Sequence, residues 1–280
     1  MGGIPIAKSR LQNSYYEDEK LPNNIDLIPT VYIKNDVFLK SSKQELDTLA
    51  ANIDFLAVKY TKRYNTGLKV KELQMDCDWT LKSGENYFYF LKQLKKISGK
   101  QISCTLRLYP YKYPDRMGVP PVDKVTLMCY NLINPLESKN QNSILDVGEL
   151  SKYLNKRKEY KLHIDIALPV FSWAQLYQNN RFKGIIYPEG ELDKKWLKQL
   201  KPFWYEVTHD TVIEDIYIRE GDRIKYENIT DKNITEAIDI IKKNVVLTDT
   251  TTVTLFHLDD NQLKKFSYET LFGFYSAFSK

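Results

Sequence analysis

Long apolar runs are missing from this chain. None reaches the roughly 20 residues that a membrane-spanning helix needs, and no signal-peptide pattern opens the sequence. Cysteine is scarce: Cys77, Cys104 and Cys129 are the only three among 280 residues. Each falls on the apolar side of a strand-like segment, which suits small buried hydrophobes better than a disulfide framework. Histidine is equally scarce. His163, His209 and His257 lie far apart without ligand spacing, so neither a metal nor another cofactor is expected. Dense basic runs and aromatic–basic ladders are also lacking, although the net charge is +5. A solvated lysine-rich surface accounts for that charge, and no nucleic-acid partner is expected.

What is present is a globular composition. The hydrophobic fraction is 42%, charged residues make up 28%, and tyrosine is abundant at 20 residues. That suffices for one large α/β domain or two small ones. Residues 1–24 read as an irregular polar lead-in, and 25–280 as the folded domain.

The organising stretch is residues 72–80. Read with period 2, Leu73, Met75, Cys77 and Trp79 form an apolar face, and Gln74, Asp76, Asp78 and Thr80 a polar one. A strand apolar on one side and acidic on the other suits a barrel with a polar interior better than a sheet covered by helices on both faces. The same split recurs. Ser103, Thr105, Arg107 and Tyr109 share the inner face of a strand over 102–109. Met128 and Tyr130 share that of 125–131, and His163, Asp165 and Ala167 that of 162–170. Strands are also expected over 28–34 and 251–259. Helices are expected after Ser41–Ser42, after Ser83, and near 148–158, 192–200, 234–243 and 268–278. Residues 205–227, with the turn Glu220-Gly221-Asp222, read as a β-hairpin insertion before the last strand.

Strand–helix alternation argues a parallel sheet. Six strands of barrel type are visible, where a complete barrel needs eight. The expected fold is therefore a TIM-like (β/α) barrel lacking its first one or two β/α units. An export signal lost with those units would place the protein in the cell envelope or outside the cell; without one it would be cytoplasmic. The oligomeric state is left open.

Three segments resemble motifs of glycoside hydrolase family 18, the chitinase-like barrels. Asp76-Cys77-Asp78-Trp79 resembles the acidic catalytic strand, Met128-Cys129-Tyr130-Asn131 the Met-x-Tyr-Asp strand, and Ala167-Leu168-Pro169-Val170-Phe171 the strand after it. They fall in the family's order, and the likeness covers roughly residues 25–265. The chain also resembles an uncharacterised bacterial group of barrel proteins related to these hydrolases. The resemblance implies substrate-assisted cleavage of an amino-sugar glycan. Asp78 would orient the acetamido group, Asp76 would support it, and Tyr130 would hold it with its hydroxyl. The place of the acidic glutamate is Thr80, whose hydroxyl cannot serve as a general acid near neutral pH.

Two functional readings stay open on these residues: a glycoside hydrolase with another proton donor, and a glycan-binding or structural barrel without turnover. A third is a barrel enzyme that holds an anionic substrate on Arg107. The catalytic candidates are Asp76, Asp78 and Tyr130. The glycan-binding candidates are Arg107, Tyr109, Asn131, Trp173 and Asp165. Arg107 is expected to pair with Asp76, Asp165 with His163 or Arg107, and Trp173 to be either a sugar platform or a core indole.

Overall fold

A computed structural model of the chain describes residues 26–64, 70–137, 140–156, 159–188, 192–213 and 215–279. The lead-in expected at 1–24 lies outside the described residues. The fold is mixed α/β and divides into two compact units. Among the described residues, one holds those of 26–126 with 160–164, and the other those of 127–159 with 165–279.

The first unit alternates strands and helices. Its elements are β1 (Thr30–Tyr32), α1 (Asn35–Lys40), α2 (Lys43–Tyr64), β2 (Glu72–Asp76), α3 (Gly84–Ser98), β3 (Gln101–Leu106), the short helices α4 (Leu108–Lys112) and α5 (Pro114–Met117), and the start of β4 (Lys124–Met128). Strand β2 pairs in parallel with β1 and with β3. Helix α2 starts as its sequence dictates. Ser42 Oγ accepts the Glu45 N–H, and the Glu45 carboxylate accepts the Ser42 N–H at 2.8 Å, which closes a reciprocal cap. Its buried stripe is Leu46, Leu49, Ala50 and Ile53; that of α3 is Tyr87, Phe90, Leu91 and Leu94. Both have the spacing of one helical face. The apolar sides of β2 and β3 are buried with them, through Leu73, Met75 and Cys77, and Ile102, Cys104 and Leu106. Each such side chain removed from water contributes about 1.5–3 kcal/mol. Ile97, in the last turn of α3, is exposed.

Gly118 follows α5 with φ +80°, and a Cβ there would lie 2.6 Å from Phe88 Cε2. Gly118→Ala is therefore expected to cost roughly 1–3 kcal/mol, combining backbone strain with a displaced ring. A melting curve superimposable on wild type would contradict this.

The second unit contains α6 (Val147–Tyr153), most of β5 (His163–Pro169), β6 (Trp173–Gln178), β7 (Arg181–Ile186), β8 (Leu197–Lys201), β9 (Trp204–Val207), β10 (Thr211–Ile213), β11 (Ile216–Ile218), β12 (Arg223–Glu227), α7 (Asp231–Asn244), β13 (Val253–Phe256), α8 (Asp260–Leu263) and α9 (Tyr268–Ser276). Strand β13 pairs in parallel with β5. An antiparallel sheet runs β7-β6-β12-β9-β8, and β10 and β11 form a separate pair. The hairpin expected across Glu220–Asp222 does not form. β11 turns back on β10, whereas β12 pairs with β6 and β9. The helix expected near 192–200 is a loop and the edge strand β8. Over Leu197–Lys201, antiparallel pairing with β9 overrides the helical spacing of Leu197 and Leu200.

The parallel strands follow the order β1-β2-β3-β4-β5-β13. Chain order is kept along this sheet, as in a (β/α) barrel and unlike a doubly wound sheet, where it reverses. Among the described residues no helix is long and apolar enough to cross a membrane.

Candidate functional site

The polar face of β2 is a ladder of satisfied rungs. Glu72, buried, accepts from Ser103 Oγ at 2.5 Å and from Lys124 Nζ at 3.1 Å. Gln74 Nε2 donates to Thr126 Oγ1 at 2.9 Å. Asp76 accepts from Thr105 Oγ1 at 2.7 Å. Each buried polar group has a partner, as a polar strand interior requires. The split read from the sequence is thus real in this unit, with carboxylates and hydroxyls on one side and Leu73, Met75 and Cys77 on the other.

The top rung is different. Asp78 lies two residues past the end of β2, and Arg107 follows the end of β3. Arg107 Nε meets Asp78 Oδ1 at 2.6 Å and its Nη2 meets Oδ2 at 2.8 Å, a two-pronged fork. Arg107 is expected to pair with Asp76; its fork goes to Asp78 and Thr105 donates to Asp76, while the Arg107 charge still lowers the Asp76 carboxyl. One step further along both strands, the guanidinium reaches the aspartate at its own level. The Asp78 side chain is 50% exposed and that of Arg107 32%.

The turn that carries Asp78 outward is anchored by Trp79. Its indole is buried beside Tyr87, with ring centroids 5.4 Å apart, and its Nε1 donates to the Met117 carbonyl at 3.4 Å. Thr80 then donates its N–H to Ser83 Oγ at 2.9 Å, and its own hydroxyl lies 3.3 Å from that oxygen. The place that the resemblance reserves for a glutamate therefore holds an exposed hydroxyl tied into a turn.

An open cleft of about 760 Å³ lies over this rung. Asp78, Arg107, Lys82, Asn35 and Thr80 supply polar groups, while Leu39, Pro110 and Met117 supply apolar wall. Tyr109 also lines it, but from helix α4; the expected strand ends at Leu106, where Pro110 favours a helical turn. The Tyr109 hydroxyl accepts from Arg116 Nη1 at 3.0 Å.

Two titrations are displaced here. Burial pushes the Asp76 carboxyl up, against the lowering effect of the Thr105 hydrogen bond, and the Asp78 charge adds to the rise. Burial and the charges of Asp78 and Asp76 push the Tyr32 phenol up. For Asp76 the folded carboxyl titrates above the unfolded one. The fold thus favours its protonated form, and that contribution is present below the ordinary carboxylate range and lost as pH rises through the raised value. Asp76→Asn keeps an acceptor for Thr105. It is expected to gain melting temperature over wild type at pH 7 and to lose that gain near pH 3. The same difference at both pH values would refute the assignment.

The remaining candidates belong to the second unit. The Tyr130 ring is buried and stacks on Phe256, centroids 5.0 Å apart and planes 6° apart, with Phe171 edge-on at 6.2 Å. Asn131 follows with φ +52°, a left-handed backbone that asparagine tolerates better than most residues. Asp165 is buried and accepts the Thr252 N–H at 2.7 Å, which fixes the entry into β13. Trp173 is a core indole, buried, with its Nε1 donating to Glu227 at 2.5 Å. It offers no face to a sugar.

No family model matches this chain, and no curated protein does.

Sequence reading missed Tyr32 at the site. The signal was there: β1 pairs in parallel with β2, and Tyr32 is opposite Asp76 in that register. It is 63% exposed at the end of its strand, beside the carboxylates that raise its phenol. Asn35 was missed because α1 begins only three residues later, too short a helix to leave a periodic pattern.

Proposed function

We propose that the chain is a carbohydrate-binding protein of partial (β/α)-barrel type, holding an amino-sugar glycan at the strand ends of its first unit without cleaving it. The observation that carries this reading is the forked Asp78–Arg107 pair in an open cleft lined by Tyr109, with exposed Tyr32 near its carboxylates. A forked ion pair presents fixed acceptors and donors in one plane, which suits vicinal sugar hydroxyls. Aromatic rings beside it suit the apolar faces of sugar rings. Turnover is disfavoured by what surrounds Asp78. Both its oxygens are engaged by Arg107, and the hydroxyl at Thr80 supplies no acid. Losing a positioned acid typically costs about 10²–10⁴ in rate.

One observation favours a hydrolytic second reading. Burial raises Asp76, so this carboxyl keeps a proton to a higher pH than an ordinary aspartate. Calorimetry with chitin oligomers, followed by a reducing-end assay on the same mixtures, separates the two. Heat of binding without new reducing ends is the expected result. New reducing ends that vanish in Asp76→Asn would replace it with the hydrolytic reading, and neither binding nor cleavage would end both.

A further inference from the structure

The antiparallel sheet of the second unit has two unlike faces. One carries the apolar cluster of Ala174, Leu176, Ile186, Val207, Ile224 and Tyr226. Alternation along β6, β12 and β9 sends Tyr177, Arg223, Lys225 and Trp204 to the other. There, Phe182 on β7, Tyr177 on β6 and Trp204 on β9 form a continuous aromatic strip. Tyr177 and Phe182 lie 5.8 Å apart between ring centroids, and Tyr177 and Trp204 5.0 Å apart, reaching across β12. Lys201 on β8 extends the strip, with its ammonium 5.2 Å from the Trp204 ring. The row crosses the five strands of the sheet, a span of ~19 Å at the usual strand spacing.

The strip has a built floor. Lys225, wholly buried, pairs with Glu227 at 2.7 Å, and the Tyr177 hydroxyl donates to Gln175 Oε1 at 2.8 Å. The rings are therefore seated on a satisfied polar layer. Phe182 is 40% exposed, and Tyr177 and Trp204 are half-buried. The charges around the strip are mostly positive. Arg223 and Lys198 are the cross-strand partners of Glu206, the one acidic group in their row, and Lys201 is the partner of Trp204.

We propose that this face binds an acidic polysaccharide, with its sugar rings against Phe182, Tyr177 and Trp204 and its carboxylates against Lys198, Lys201 and Arg223. Aromatic rings take the apolar faces of sugars, and excess positive charge selects a polyanion. Single-stranded nucleic acid fits less well. Proteins that hold it track its backbone along a continuous positive groove, whereas here Glu206 sits between Arg223 and Lys198 and interrupts the row. The inference stands on the second unit alone and does not depend on the cleft beside Asp78.

Native gel electrophoresis of the full chain through polygalacturonate tests it, with neutral dextran as the control matrix. Polygalacturonate is expected to retard the wild type, dextran is not, and added salt should weaken the retardation. Combining Phe182→Ser with Trp204→Ala should raise the apparent Kd about tenfold or more, the loss expected from central aromatic anchors. Lys201→Glu, a surface change that leaves the rings in place, should weaken binding in the same direction. No retardation of wild type, equal retardation by dextran, equal binding by the Lys201→Glu chain, or displacement by oligo-deoxythymidine at lower concentration than by galacturonate oligomers would each overturn the proposal.

Discussion

Glu227→Ala is expected to destabilise the second unit by roughly 3–5 kcal/mol, the usual cost of breaking a buried ion pair from one side. The side chains of Glu227 and Lys225 are both fully buried. Five donors converge on the one carboxylate. Lys225 Nζ and the Ser143 N–H reach Oε1, each at 2.7 Å. Ser143 Oγ, Trp173 Nε1 and Gln175 Nε2 reach Oε2, at 2.7, 2.5 and 2.8 Å. Removing the acceptor takes the charged partner from a buried ammonium and the acceptor from several neutral donors, and each unsatisfied neutral donor costs about 1–3 kcal/mol. Lys225→Met should cost less, because four donors still hold the carboxylate. The double change Lys225→Met with Glu227→Met separates a network from a simple pair. A simple buried pair replaced by apolar residues is often neutral; here Trp173, Gln175 and Ser143 would still lose their acceptor, so the double variant should remain well below wild type. Urea unfolding followed by tryptophan fluorescence measures all three. A loss under about 1 kcal/mol for Glu227→Ala would contradict the network.

This network was not legible in the chain. Lys225 and Glu227 sit in a segment of alternating polar and apolar residues, and such charges normally mark the solvent face of a strand. They are buried where Ser143, Trp173 and Gln175 close on the Glu227 carboxylate, and long-range packing of this kind leaves no local pattern. The β2 ladder was legible for the opposite reason. Its rungs repeat with period 2 within one strand, so Asp76 and Asp78 declared their shared face before any partner was known. The Arg107 fork sits one rung beyond the expected Asp76, on Asp78. Strand register is set by the connection between strands, and a shift along β3 exchanges Thr105 for Arg107 as the partner of Asp76. The antiparallel sheet was under-read for a third reason. Its strands of four to six residues carry lysines on exposed edges, as edge strands do, and β8 therefore resembles a helix surface.

Arg107→Ala is expected to separate binding from stability in the first unit. The pair it breaks is half in water, and exposed ion pairs contribute only about 0–1 kcal/mol to folding. The melting temperature should therefore move little. Glycan affinity should fall much further. A charged hydrogen bond to a ligand is worth about 1.5–3 kcal/mol, and the fork loses donors while freeing Asp78 to swing away from its fixed plane. Together these predict a loss of roughly 10- to 150-fold in affinity for chitin oligomers. Arg107→Lys tests whether geometry or charge matters. An ammonium keeps the charge but not the two-pronged contact, so on the geometric reading it should recover little of the affinity. If lysine restores binding, the guanidinium acts only as a cation and the site selects for charge. If alanine lowers the melting temperature sharply and leaves affinity intact, the fork is a structural clasp between β2 and β3, and the sugar site lies elsewhere on the chain.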